Sequence, residues 1–382
     1  MRLDYAPRPE PRNVPMTALF TPLTLRGVTF KNRIVVSPMC QYAAVDGHAT
    51  DWHFDHHARF ALGGVGGALV EATGILPEGR ITPDCLGIWD DGHIPGLSRI
   101  VATYHRQGAA IGMQLSHAGR KGSSTPPWQG GWAIPPGDAR AWQTVAPSAI
   151  PYHEDWPTPH ELTVGEIGGV IEAFVAAAHR AVAAGFDFVE IHGAHGYLLH
   201  SFVSPIANHR TDAYGGTPEN RMRLSVEVAE AVRAVLPATM PLFYRASCID
   251  RVEGAGLTLD DAVDLAKALK PAGVDLIDCS AGGVLVRTNP GFIKEGPGFQ
   301  IGFAERIRKE ADIATMAVGS ITEGRQANGV IEAGQADLVA LAKEMMADPN
   351  FAFRAAHALQ IEKPDFVLPE RYAFYLQFRR PE

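Results

Sequence analysis

Cysteine is scarce in this chain, and the four present, Cys40, Cys85, Cys248 and Cys279, are far apart with no C-x-x-C pair. That argues against a disulfide framework and against a cysteine-ligated iron–sulfur cluster. No run of about twenty apolar residues offers a membrane span. Positive charge is in deficit: the formal net charge is -8, so the surface has no general attraction for nucleic acid or anionic lipid. Residues 1–16 are rich in proline and charge and lack the apolar stretch of a secretory signal. They are expected to form a flexible leader, with Met16 as an alternative start, ahead of a single domain over 17–360 and a tail over 361–382. A reducing cytoplasm fits these absences. What is present is an ordinary enzyme-like balance, 46% hydrophobic and 20% charged, able to bury a large core.

Short apolar runs alternate with helical patterns along the chain. The runs are Arg33–Met39, Gly67–Ile75, Ala109–Ser116, Phe188–Gly193, Pro241–Ser247, Val274–Ser280, Ala314–Ile321 and Ala336–Lys343. Most are nearly continuous in apolar residues, as strands buried on both faces are. Thr163–Ala184 is the clearest helix: Thr163 caps it, Glu166 completes a capping box and Gly185 ends it. Pro218–Leu236 and Thr258–Lys270 also read as helices. The alternation predicts an α/β fold, a closed (β/α)8 TIM barrel in preference to the open doubly wound sheet that the same pattern allows. Leu23–Lys31 alternates around Arg26-Gly27 and reads as a β-hairpin plugging the lower end. Ala118–Glu161, with many Pro, Gly and Trp residues, reads as a long insertion after strand 3, at the face where loops shape active sites.

In a barrel, functional groups gather where strands end. Strand 1 ends in Ser37-Pro38-Met39-Cys40-Gln41-Tyr42, a thiol and a phenol two residues apart. Cys40 as a small buried hydrophobe is the plainer alternative. Strand 3 ends in Gln114-Leu115-Ser116-His117-Ala118-Gly119-Arg120-Lys121. Gln114 has the donor and acceptor that suit a heteroaromatic edge, and Arg120 and Lys121 either neutralise an anion or form a solvated basic loop. Strand 4 ends in His192, His195, Tyr197 and His200. Two imidazoles and a phenol can polarise a carbonyl and deliver a proton; satisfied core histidines or a thinly liganded metal site are the alternatives. His53, His56 and His57 read as structural. Arg245 stands in an apolar strand, which requires an anionic partner, a bound ligand or a neighbouring carboxylate. Gly283, Gly319 and Ala342-Lys343 end strands 6, 7 and 8 with small residues and one cation, the usual barrel phosphate site.

These residues resemble the Old Yellow Enzyme family of FMN-dependent ene-reductases, in its thermophilic-like or xenobiotic-reductase-like branch. The resemblance runs from Leu19 to Phe353. It is most specific over His192–His200, then Ser204-Pro205, Asn208 to Asp212, Tyr214-Gly215-Gly216 and Glu219-Asn220-Arg221. Ser37–Tyr42 marks the branch. The resemblance implies FMN as cofactor, NAD(P)H as reductant and an α,β-unsaturated carbonyl as substrate. It implies that Pro38, Met39 and Cys40 line the flavin, that Ala72 and Gln114 meet its pyrimidine end and that Arg245 stabilises the reduced anion. Gly283, Gly319, Ala342 and Lys343 would hold the phosphate. His192 and His195 would bind the carbonyl oxygen, Tyr197 would donate the proton and Tyr42 would contact substrate.

Some positions depart from the family pattern. Strand 8 usually ends Gly-Arg in this family, and Lys343 replaces the planar fork with a point charge. Val318-Gly319-Ser320 and Gly302 also differ from the commoner residues. In this branch similar tails reach a neighbouring subunit's site, so the resemblance implies a homodimer or homotetramer with Tyr372 or Tyr375 of the aromatic tail Leu368–Tyr375 as the intruder; packing against its own barrel is the plainer alternative. Dienoyl-CoA-type relatives with an iron–sulfur domain do not fit a chain without clustered cysteines. A slow flavin-binding protein and a metal-dependent barrel hydrolase are the remaining alternatives.

Overall fold

A computed structural model describes residues 17–252, 254–286 and 295–377. The expected leader over 1–16 and the end of the tail lie outside the described residues. Eight parallel strands close into a barrel: β1 Ile34–Val36, β2 Gly67–Gly74, β3 Ala110–Ser116, β4 Phe188–Gly193, β5 Leu242–Ser247, β6 Leu276–Ser280, β7 Ala314–Val318 and β8 Leu338–Leu341. β8 pairs with β1, so no edge is left. Helices α1 Asp51–Leu62, α2 Ile94–His105, α3 Val164–Ala184, α4 Pro218–Val235, α5 Leu259–Leu269, α6 Ile301–Ala311, α7 Gly324–Glu332 and α8 Phe351–Ala358 follow the strands in turn. The closed barrel expected from the alternation is therefore present, and the open sheet is not.

Two hydrophobic cores explain the strand composition. One joins the outer faces of the strands to the helices. The other fills the barrel with Val35, Leu69, Phe188, Phe243, Leu276, Met316 and Leu338. The hairpin forms as expected, Leu23–Leu25 against Val28–Phe30, and Phe30 enters the barrel with its ring 5.4 Å from that of Phe188. Full burial of such a ring contributes roughly 1.5–3 kcal/mol. The packing leaves no room for a side chain at Gly112, where a Cβ would lie 2.3 Å from Phe188.

Thr163 caps α3 as expected: its hydroxyl accepts from Glu166 N–H at 3.3 Å, and its own N–H donates to Glu166 Oε2 at 2.7 Å. The sequence expectation needs correction in two places. Several strands are shorter than their apolar runs; β1 covers three residues of Arg33–Met39, because Ser37–Tyr42 leaves the ladder to line the mouth. And α3 is, by length and composition, apolar enough to cross a membrane, because alanine supplies hydropathy without bulk. It lies in the helical shell, with Ile167, Val170 and Phe174 in the core. The insertion after β3 contains a small parallel pair, Val145–Ala146 with His160–Glu161, and short turns.

Candidate active site

Below the mouth, side chains from adjacent strands form rows. A register shift between Val70 and Ala72 makes Glu71 a bulge in β2. Beyond it, Ala72 lies beside Gln114, and Gln114 beside Glu190. Gln114 Nε2 donates to Glu190 Oε1 at 2.7 Å, which leaves its carbonyl oxygen to accept from a donor above. Arg245 is 3.1 Å from Asp278 Oδ2 and 3.5 Å from Ser37 Oγ. The sequence reading left Arg245 between a neighbouring carboxylate and a bound anion, and the neighbouring carboxylate is there. Burial, then the charge of Asp278, pushes Glu190 well above the usual carboxylate range. Burial likewise raises Asp278, against the pull of Arg245.

The bulge also shapes the loop after β1. Glu71 Oε2 accepts from Gln41 N–H at 2.9 Å, and Glu71 Oε1 lies 3.3 Å from His53 Nε2. His53 is thus structural, as expected, and what it supports is the loop carrying Cys40 and Tyr42. Tyr42 takes a left-handed φ of 49°. Burial, and next Glu71, raise the Cys40 thiol, so Cys40 is uncharged at neutral pH. Cys40, Tyr42 and Tyr197 pack around Ala72, Ile81, Cys85 and Ala118. Cys85, far along the chain from Cys40, was not legible as part of the site.

Beyond β4, three aromatic groups meet. The His192 ring lies 5.1 Å from that of His195 and 4.9 Å from that of Tyr197, both edge to face. His192 Nδ1 accepts from Ala194 N–H at 3.2 Å, so its hydrogen sits on Nε2. His195 Nε2 pairs with Ser280 Oγ at 2.7 Å, and His195 N–H donates to Ser247 Oγ at 2.9 Å. Sequence reasoning gave neither serine this role. Burial, then the charge of Arg245, holds both imidazoles well below their ordinary range, so they are neutral donors. Burial raises the Tyr197 phenol, which keeps its proton.

Arg120 and Lys121 are not a solvated loop. Arg120 donates to the carbonyls of Ile150, Pro151 and Val284 and pins the insertion. Lys121 Nζ donates to His195 O at 2.8 Å and Gly283 O at 3.2 Å, and lies 5.2 Å from the Tyr197 ring. Burial pushes its pKa down to about 7, with Arg120 adding to the shift.

Gly283, Gly319 and Ala342-Lys343 follow adjacent strands β6, β7 and β8. Lys343 is exposed, and no carboxylate pairs with it among the described residues. Tyr372 is not brought to this site. It lines a pocket with Lys31, Leu62, Arg106 and Gln107, which precede strands, and so lies at the opposite end of its own barrel. The His53–His56 and His192–His195 spacings gather no metal ligand set; among the described residues the only such group is half-buried His153 with exposed Glu154 and Asp155.

Residues 18–362 match the model of the NADH:flavin oxidoreductase / NADH oxidase family. The chain belongs to that family. An NADPH dehydrogenase of Geobacillus thermodenitrificans is 48% identical over 352 residues, covering 91% of this chain and 97% of the relative. Morphinone reductase has the same fold, with a TM-score of 0.73 at 28% identity over 90% of each chain. 2-Naphthoyl-CoA reductase matches in fold with a TM-score of 0.79 at 24% identity, and this chain spans 53% of its length. As a member of the family, the protein is an NAD(P)H:flavin oxidoreductase that uses FMN, with NAD(P)H as reductant.

The residues present fit FMN. The free Gln114 carbonyl suits a ring N–H, and the half-buried Pro38–Cys40 backbone, outside the ladder, offers a wall. Gly319, at φ 123°, and the unpaired Lys343 suit a phosphate. Lys343→Arg should tighten FMN by about 1 kcal/mol, several-fold, through bidentate contact. Equilibrium titration of FMN into the apoprotein checks this; an unchanged Kd refutes it.

The raised Glu190 pKa has a consequence for stability. Between the ordinary glutamate range and neutral pH, the unfolded chain releases this proton while the folded chain retains it. Stability therefore falls as pH rises through that window. Glu190→Gln should flatten that part of the profile, measured by urea unfolding at several pH values. A parallel profile would show that Glu190 ionises normally.

Proposed function

We propose that this enzyme reduces the C=C bond of α,β-unsaturated carbonyl compounds. The carrying observation is a neutral imidazole, His192, packed edge to face against both a second neutral imidazole, His195, and a protonated phenol, Tyr197. FMN, when bound, supplies hydride taken from NADPH to the substrate β-carbon. His192, through Nε2–H, and His195 hydrogen-bond the carbonyl oxygen and draw electron density from the C=C bond. Ser280 donating to His195 Nε2 would leave Nδ1–H as the donor. Tyr197 gives its proton to the α-carbon, and Tyr42 closes the substrate's other side. The protein's share is placement and electrostatics.

We assign Pro38, Met39, Cys40, Ala72, Gln114 and Arg245 to the flavin ring, and Gly283, Gly319, Ala342 and Lys343 to its phosphate. Tyr372 would reach a substrate only from a second chain. The exposed aromatics Phe366, Tyr372, Phe374 and Tyr375 support that homodimer or homotetramer, and a monomer in sedimentation at micromolar concentration refutes it. The free cysteines support a cytoplasmic setting.

The deciding experiment is NADPH oxidation with and without cyclohexenone, with the product identified. Absence of enone-dependent oxidation by FMN-loaded protein would sink the reading.

A further inference from the structure

We propose that Asp250 and His200 are positioning residues that hold the Gly196 peptide and so aim His195 and Tyr197 on either side of it. The inference rests on the proposed roles of those two side chains, and it deepens them.

His195 and Gly196 are consecutive left-handed residues, at φ 61° and 77°. For a non-glycine residue such as His195 that conformation costs energy and persists only where the surroundings hold it. The chain cannot relax by moving Gly196 toward β6, because even a Cβ there would lie 2.0 Å from Gly283 O. The surroundings hold every polar group of the turn. His195 N–H is on Ser247 Oγ, and His195 O is on Lys121 Nζ. Gly196 O accepts from Ser201 Oγ at 3.1 Å. Gly196 N–H, the group between the two active side chains, donates to His200 Nδ1 at 2.8 Å.

An imidazole nitrogen that accepts carries no hydrogen, so the His200 hydrogen must be on Nε2. Nε2 lies 2.9 Å from Asp250 Oδ1, and both side chains are fully buried. The approach is bent from hydrogen-bond alignment, so the contact acts chiefly through charge. The carboxylate favours hydrogen on the facing nitrogen, which keeps Nδ1 open for Gly196. Asp250 is itself held: its Oδ2 accepts from Ser204 Oγ at 2.6 Å and Leu257 N–H at 2.7 Å. Asp250 follows β5 and His200 lies in the short helix Leu198–Val203 after β4. The dyad thus ties the turn that carries the acid to the neighbouring strand's loop.

The test uses FMN-loaded His200→Leu, His200→Asn and Asp250→Asn. Asparagine offers an acceptor near the Nδ1 position, whereas leucine fills the space with none. His200→Leu and Asp250→Asn should lower enone-dependent turnover about tenfold or more, with flavin reduction by NADPH within threefold of the parent and the flavin spectrum retained. His200→Asn should recover most of the loss. A second readout is independent of turnover: a para-substituted phenol, stacked on oxidised flavin with its oxygen on His192 and His195, gives a charge-transfer band. The two damaging variants should weaken that binding several-fold, and His200→Asn should not. A parent that binds the phenol but reduces no enone would remove the proposed function and leave this inference standing. If His200→Leu fails to hold flavin, Asp250→Asn decides. Parent-like turnover and phenol binding in Asp250→Asn, equal losses in both half-reactions, or no recovery in His200→Asn would overturn it.

Discussion

Replacing Tyr197 with phenylalanine should slow enone reduction by roughly 10²–10⁴-fold, the usual contribution of a positioned proton donor, while flavin reduction by NADPH proceeds at the parental rate. The substitution removes one hydroxyl and keeps the ring, so the packing against His192 at 4.9 Å survives. The phenol holds its proton because burial, then Cys40 and Cys85, oppose a phenolate, against a smaller pull from Arg245. Lys121, with its Nζ 5.2 Å from the ring, can stabilise the phenolate formed when the proton leaves. In the proposed cycle only the second half requires a proton at carbon, so stopped-flow measurement of the two half-reactions separates them. An equal loss in both would mean that Tyr197 shapes the cavity. An unchanged enone rate would mean that another group supplies the proton.

Arg245→Met should cost roughly 3–5 kcal/mol of folding stability, the range for breaking a buried ion pair from one side. Methionine keeps much of the volume but leaves Asp278, 3.1 Å from the lost guanidinium, without its cation. Glu190 lies in the same strand cluster, is also fully buried, and has Oε2 without a hydrogen-bond partner. Urea unfolding of the flavin-free proteins measures the loss apart from any effect on FMN. Arg245→Met combined with Asp278→Asn should regain much of it, because the second change removes the stranded charge. Full stability of the single variant would show that both carboxyls are protonated in the folded protein and that Arg245 serves the ligand alone. The effect should grow as pH rises: burial makes the Asp278 carboxylate costly to form, and in the variant no cation offsets that cost once the unfolded chain ionises.

Much of the architecture was legible because it depends on local chemistry. Strands buried on both faces must be apolar throughout, which exposed the eight-fold alternation. The Thr163–Glu166 capping box and the Arg26-Gly27 turn are satisfied within a few residues, so their sequence carries them in full. Tyr197, His192, His195, Gln114 and Arg245 were legible because polar groups at the ends of apolar strands demand a purpose. Strand limits were less so: the apolar run of β1 continues into a loop whose backbone turns to Glu71.

What only the tertiary structure decided is which distant groups serve each of those residues. Ser247 and Ser280 reach His195 from two other strands, His53 braces the Cys40–Tyr42 loop through Glu71, and Cys85 enters the cluster from a separate loop. Barrel closure makes these neighbours, and nothing in linear spacing records it. The same closure placed Arg245 beside Asp278 and Tyr372 at the far end from its own site. By itself the sequence determined the fold class, the family and the candidates for the reacting side chains. The three-dimensional structure decided their protonation, their hydrogen-bond partners and their orientation, because those follow from burial and from contacts between segments far apart in the chain.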